Sequence, residues 1–132
     1  MKTDEQLKQE NPELYRVARL GGTEPAFKGK YFASDEKGVF HCAVCDAPLF
    51  SSDTKFSSGS GWPSFTDPVN KEAVTLHQDV SHGMLRTEVK CKTCDAHLGH
   101  VFADGPKKEE GGVCDRFCIN GISLELQENN TK

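Results

Sequence analysis

The chain has no excess of positive charge: 20 Asp and Glu residues outnumber 16 Lys and Arg, for a formal net charge of −4. An acidic balance without a basic stripe argues against nucleic acid as the main partner. No apolar run approaches the ~18 to 20 residues of a membrane span, so no membrane is expected either. The opening stretch, MKTDEQLKQE, has no apolar core, and no secretory leader is expected. There is no low-complexity tract, and no internal repeat beyond two short cysteine units. What remains is a soluble, turn-rich chain of 132 residues. With 36% hydrophobic residues it can bury one modest core as a single domain, 1–132. A cytoplasmic location follows as the expectation. In a reducing compartment, paired cysteines read as metal ligands or redox groups before structural disulfides.

Along the chain, a helical segment is expected over about 3–22. In NPELYRVARLGG, Asn11 suits an N-cap and Pro12 the first helical position. Leu14, Val17 and Ala18 supply the apolar stripe, and Gly21-Gly22 the stop. A β domain follows over about 23–127. GKYF, GVFHC and CDAPLFSS read as short strands or their edges. EAVTLHQDV, SHG and MLRTEVKC read as a hairpin, with Val74 and Leu76, then Leu85, Thr87 and Val89, alternating with polar neighbours. HLGHVF and CINGISLELQ complete the strand candidates, with Ile122, Leu124 and Leu126 facing one way. DGPKKEEGG is a polar loop, and residues 128–132 a flexible tail. The expected class is mainly β, with one or two short N-terminal helices.

Six cysteines are present, and four form two matched units, Cys42-x-x-Cys45 and Cys91-x-x-Cys94. One such turn sets two thiolates on one side of a metal. Two turns complete a tetrahedral S₄ site, which suits one structural Zn²⁺. The contexts CDAPL and CDAHL repeat the same turn. The stretch between the units is longer than in a usual zinc ribbon and reads as a structural insertion. Free thiols or a redox pair are the alternative reading. His97, three residues after Cys94, is not needed as a ligand.

Three further stretches carry candidate chemistry. In SGSGWPSF, small residues allow a tight turn and Pro63 keeps Trp62 extended. Trp62 is either a core aromatic or the wall of a pocket for a soft apolar group such as a thioether methyl. HLGHVFADG carries His97, His100 and Asp104. The imidazoles are either surface groups or, if the strand bends, the edge of one cleft. In RFCIN, alternation puts Arg116, Cys118 and Asn120 on one face, with Phe117 and Ile119 on the other. A cation beside the thiol favours the nucleophilic thiolate. The amide offers a donor and an acceptor to a polar ligand. The alternative is an inert strand cysteine.

GTEPAF, CAVCDAPLFSSDTKF, SGSGWPSF, SHGMLRTEVKC, CDAHLGHVFADGP and RFCIN occur together and in order. From about Gly22 to Leu126 the chain resembles the methionine-R-sulfoxide reductases, the B-type family. The resemblance implies two antiparallel sheets and a zinc site distant from the active site. It implies reduction of methionine-R-sulfoxide, mainly in oxidised proteins, as a repair reaction. Cys118 matches the nucleophile that attacks the sulfoxide sulfur and becomes a sulfenic acid. His97, His100 and Asn120 match residues around the sulfoxide oxygen, with His100 chosen to help protonate it. Trp62 matches the wall that receives the S-methyl group, and Arg116 the residue that favours the thiolate. Asp104 matches an acidic position whose role stays open, with orienting a histidine as one option. Cys42, Cys45, Cys91 and Cys94 match the zinc ligands.

The chain departs from the common pattern in three places. Ser60 stands where many members have a resolving cysteine, and a hydroxyl cannot close a disulfide onto Cys118. The loop before the nucleophile, PKKEEGGVCD, is longer, and Phe117 replaces a common Tyr. Cys114, in that loop, is a possible resolving cysteine if GGVCD folds back. Otherwise a thioredoxin-like thiol or a small thiol reduces the sulfenic acid directly. A monomer is expected. The competing readings are a zinc-binding β protein-interaction module, which would not need Cys118 and its flanks, and a thiol redox sensor without a substrate.

Overall fold

The computed structural model describes residues 1–31, 36–80 and 83–128. Two short helices open the chain, α1 (Asp4–Glu10) and α2 (Pro12–Ala18). Thr3 and Gln6 form a reciprocal capping box at α1. Asn11 Oδ1 accepts the Leu14 N–H at the start of α2, as the sequence predicts. Leu7, Leu14, Val17 and Ala18 are buried, which makes the inner face of the pair.

Nine strands follow among the described residues. β1 (Gly38–Cys42), β2 (Pro48–Ser51) and β9 (Leu124–Glu128) form one antiparallel sheet in the order β2-β1-β9. The second sheet holds β3 (Lys55–Phe56), β4 (Ser64–Phe65), β5 (Val74–Asp79), β6 (Arg86–Cys91), β7 (His97–Phe102) and β8 (Arg116–Ile119). Its order is β3-β4-β8-β7-β6-β5, and every pairing is antiparallel. The fold is mainly β with two antiparallel sheets, as expected. An aromatic cluster joins them. Phe50 of β2 stacks on Phe65 of β4 at 4.6 Å between centroids, and Phe40 of β1 meets Phe65 edge-on at 5.3 Å. Phe117 of β8 packs on Phe50 from the same side. The ring of Phe117 thus belongs to the core, on the opposite side of its strand from Cys118.

Several expectations need correction. Residues 29–31 of GKYF are a bend and not a strand, and Phe32 lies outside the described residues. CINGISLELQ is not one strand: a 3₁₀ turn, Gly121–Ser123, separates β8 from β9 and carries the chain from one sheet to the other. The β5–β6 hairpin is present, but Leu76 and Leu85 are exposed while Val74 and Val89 are buried. Only the base of that hairpin reaches the core, so alternation gives no burial toward its tip. Ser81 and His82 of the SHG turn lie outside the described residues. So do residues 129–132 of the expected tail, whose first residue, Glu128, closes β9.

Candidate active site and metal centre

The register of the larger sheet gathers the site. Ser64 of β4 pairs with Cys118 of β8, which pairs with His100 of β7, which pairs with Glu88 of β6. Close approach of β7 to β8 depends on Gly99, where a Cβ would strike the Cys118 carbonyl. Cys118 opens into a pocket of about 380 Å³. Arg116 and Cys118 of β8 and Asn120, just beyond its end, all line it, and Trp62, His100 and Ser60 are among the other residues of the wall.

The thiol is half-enclosed. Burial pushes Cys118 above the ordinary thiol range, outweighing the opposing pull of Ser60, Arg116 and Ser64 toward the thiolate. The positive charge of Arg116 therefore acts in the expected direction but does not dominate. Ser60 Oγ stands 3.6 Å from Cys118 Sγ. Ser58 Oγ links Ser60 at 2.8 Å and Ser64 at 2.7 Å, so three hydroxyls form one cluster beside the sulfur. Arg116 is held by Asp104 through a two-pronged pair, Nε to Oδ1 at 2.8 Å and Nη2 to Oδ2 at 3.3 Å. Its guanidinium also lies 4.5 Å from the centroid of Phe102. Asp104 thus orients the arginine and not a histidine.

The two histidines occupy different positions. His100 lines the pocket, and its Nε2 lies 2.8 Å from Asp79 Oδ2. His97 is 4% exposed and stands behind it, with ring centroids 5.5 Å apart. His97 Nδ1 meets Glu88 Oε2 at 2.6 Å, while Nε2 has no hydrogen-bond partner among the described residues. Burial lowers the His97 pKa and outweighs Glu88, which favours the imidazole as the neutral form.

Asn120 is 3% exposed and fixed at both ends: Nδ2 donates to the Leu98 carbonyl and Oδ1 accepts the Glu24 N–H, each at 2.9 Å. Trp62 Nε1 donates to the Glu24 carbonyl at 2.9 Å. Sequence reasoning missed Glu24, Asp79, Glu88 and the serine cluster. The carboxylates carry no local signal, because only strand register and the fold of the N-terminal arm bring them to these partners.

Cys114 is not among the residues lining the pocket. Its N–H donates to Pro106 and its carbonyl accepts from Gly105, which prolongs the β7–β8 hairpin beyond Arg116. An extended chain places residues four apart at about 13 Å, whereas a disulfide joins Cα atoms about 5.5 Å apart.

Cys42, Cys45, Cys91 and Cys94 converge where β1 and β6 end, with all four Sγ atoms within 4.8 Å of one another. Both turns are built alike. Asp46 and Asp95 take left-handed φ values of 68° and 64°, and each donates its N–H to the first cysteine's carbonyl at 2.8 Å. The Cys42–Cys94 and Cys45–Cys91 sulfurs lie 3.6 Å apart. A tetrahedron with metal–sulfur bonds of about 2.3 Å has edges of about 3.8 Å. The donor set fits a metal ion chemically as well: the crowding of the sulfurs, Cys42 and Cys91 acting foremost on one another, pushes Cys42 up and holds Cys91 down, so a cation is what allows all four to ionise together.

Residues 10–128 match the family model described as the SelR domain. The chain belongs to the SelR domain family. Its relatives in this family include the peptide methionine sulfoxide reductase MsrB of Thioalkalivibrio sulfidiphilus (strain HL-EbGR7), 54% identical over 95% of this chain and 89% of the relative. The protein of the same name from Azotobacter vinelandii (strain DJ / ATCC BAA-1303) is 56% identical over 87% of this chain and 84% of its own length. One from Acinetobacter baumannii (strain AYE) is 50% identical over 98% and 92%. The SelR-domain assignment agrees with the family expected from the motifs. Among the described residues, no helix is long and apolar enough to cross a membrane.

Proposed function

We propose that the chain reduces methionine-R-sulfoxide in oxidised proteins to methionine, with Cys118 as the nucleophile. The carrying observation is the shared pocket, in which the Cys118 thiol meets the Trp62 indole, the His100 imidazole and the Arg116 guanidinium. The indole receives the S-methyl group by an apolar, polarizable contact. The sulfoxide sulfur then faces Cys118. The Cys118 sulfur is oxidised as the sulfoxide is reduced: thiol plus sulfoxide gives sulfenic acid plus thioether, with the thiol's proton retained on the transferred oxygen. Because burial favours the protonated thiol, that proton has to move as attack proceeds. His100 is the group placed to move it, with Asp79 orienting the ring. His97, paired to Glu88, backs His100 and does not contact the oxygen directly.

A thiol reductant, thioredoxin-like or small, then attacks the sulfenic acid. Water leaves, and a second thiol releases Cys118 from the mixed disulfide. The extended stem around Cys114 favours this external route over resolution by Cys114. The chain acts as a monomer in the cytoplasm, where a reducing environment keeps cysteines available as metal ligands and nucleophile. Cys42, Cys45, Cys91 and Cys94 hold one Zn²⁺, which supplies a closed structural cross-link and no reaction step.

The test is anaerobic single turnover with separated R and S epimers of a methionine sulfoxide peptide. One methionine per Cys118, from the R epimer alone and lost in Cys118→Ser, is expected. Turnover preserved in Cys118→Ser rejects that cysteine as nucleophile. An oxidisable Cys118 without turnover of either epimer would favour a redox sensor.

A further inference from the structure

Glu24 lies in the arm between α2 and β1, outside every strand, yet it is bonded to two residues of the pocket, Trp62 and Asn120, and to the turn that follows Asn120. Its carbonyl accepts the indole N–H of Trp62 at 2.9 Å. Its backbone N–H donates to Asn120 Oδ1 at 2.9 Å. Its two carboxylate oxygens accept the N–H groups of Gly121 at 2.6 Å and Ile122 at 3.0 Å, just beyond Asn120. The residue is 5% exposed. The arm also closes over it: a Cβ at Gly29 would strike the Glu24 carboxylate, and one at Gly121 would strike the Lys30 carbonyl.

We propose that Glu24 is the positioning residue of this pocket, fixing the Trp62 indole and the Asn120 amide around Cys118. A carboxylate suits the task because both of its oxygens accept, one for each of two successive backbone N–H groups. A glutamine of the same shape has one acceptor only. Its NH₂ would face a backbone N–H, leaving two buried donors opposed. The arm then tilts. Because the Glu24 carbonyl and N–H ride on that arm, the indole and the amide lose their alignment together. Glu24 itself touches no reacting atom.

The proposal rests on sulfoxide reduction only for its kinetic readout. Trp62 is the single tryptophan, so indole fluorescence and the indole N–H resonance report this wall alone. In the unaltered protein, the indole N–H is expected to exchange with solvent at least about tenfold more slowly than a free indole. In Glu24→Gln, indole emission shifts to longer wavelength. KM for an R-sulfoxide peptide rises about five- to tenfold while kcat changes less than about twofold, the pattern of lost uniform binding. Gly29→Ala, which displaces the carboxylate without changing it, produces the same two changes. A folded Glu24→Gln with unaltered emission and KM overturns the proposal. So does a freely exchanging indole N–H in the unaltered protein, whether or not either variant folds. If the unaltered protein turns over neither epimer, the proposed function fails, and emission and exchange still decide the role of Glu24.

Discussion

The hydroxyl of Ser60 lies 3.6 Å from the Sγ of Cys118, backed by Ser58. A hydroxyl donating to sulfur favours the thiolate, and Ser60 heads the influences that oppose burial at this thiol. Removing it raises the thiol pKa further. At a pH below that pKa the thiolate fraction then falls, and alkylation slows. Ser60→Ala is expected to move the alkylation profile of Cys118 to higher pH, with a rate loss of about three- to tenfold at neutral pH. An unmoved profile would show that Ser60 is not a donor to the sulfur. Ser60→Cys puts a second sulfur in the same place, and after one turnover without reductant it should yield a 60–118 disulfide by peptide mapping.

Asp104 grips Arg116 from an exposed position, so its removal should matter through geometry more than through stability. Arg116→Met deletes the positive charge beside Cys118 and shifts the thiol pKa upward. Asp104→Asn keeps the charge but loosens it, and a smaller shift in the same direction is expected. Parallel alkylation profiles of the two variants check the order. A larger shift for Asp104→Asn than for Arg116→Met would refute it.

Asp79 Oδ2 and His100 Nε2 meet at 2.8 Å across β5, β6 and β7. With the ring oriented by that carboxylate, Asp79→Asn should lower kcat by about 10- to 100-fold, less than the roughly 10²- to 10⁴-fold of a positioned proton donor because the imidazole itself remains. KM should move little, since the indole wall is untouched. Steady-state kinetics on an R-sulfoxide peptide separate the two. A rise in KM with unchanged kcat would make Asp79 a binding residue instead.

Much of this site is readable in the sequence because it is local. Alternation along Arg116, Cys118 and Asn120 needs only a strand, and CxxC turns carry their own geometry. The histidines were harder. Strict alternation puts His97 and His100 on opposite faces of β7. The register shift between Val89 and Lys90 on β6 marks where the ladder at the start of β7 departs from regular pairing. Both rings then approach one another, but only His100 reaches the pocket. Glu24 is further from reach. Its partner Asn120 is 96 residues away, and no periodicity links an irregular arm to the end of a strand. The fold class was legible from short strands and turns. The break at Gly121–Ser123 was not, since Ile122, Leu124 and Leu126 imitate one continuous strand.

The four-cysteine centre adds a second link between the two sheets, beside the aromatic cluster. Cys42 ends β1 and Cys91 ends β6, so the cluster joins the two sheets. The helices lean on the same turns: Arg19 Nη1 donates to the Cys94 carbonyl at 2.7 Å, and the Lys2 N–H to the Val44 carbonyl at 2.9 Å. Removing the metal leaves sulfurs that cannot all remain ionised at this spacing, and the turns must loosen. Chelation is expected to lower Tm by about 10 °C or more, because the aromatic cluster between the sheets persists but its clamp is gone. Cys118 lies on β8, which contributes no sulfur to the cluster, so single-turnover reduction well below the lowered Tm should keep at least about half its rate. Thermal melts with and without chelator, run beside low-temperature turnover, test both halves. Loss of turnover in a chelated protein that is still folded would place the metal centre in the chemistry and contradict its structural role.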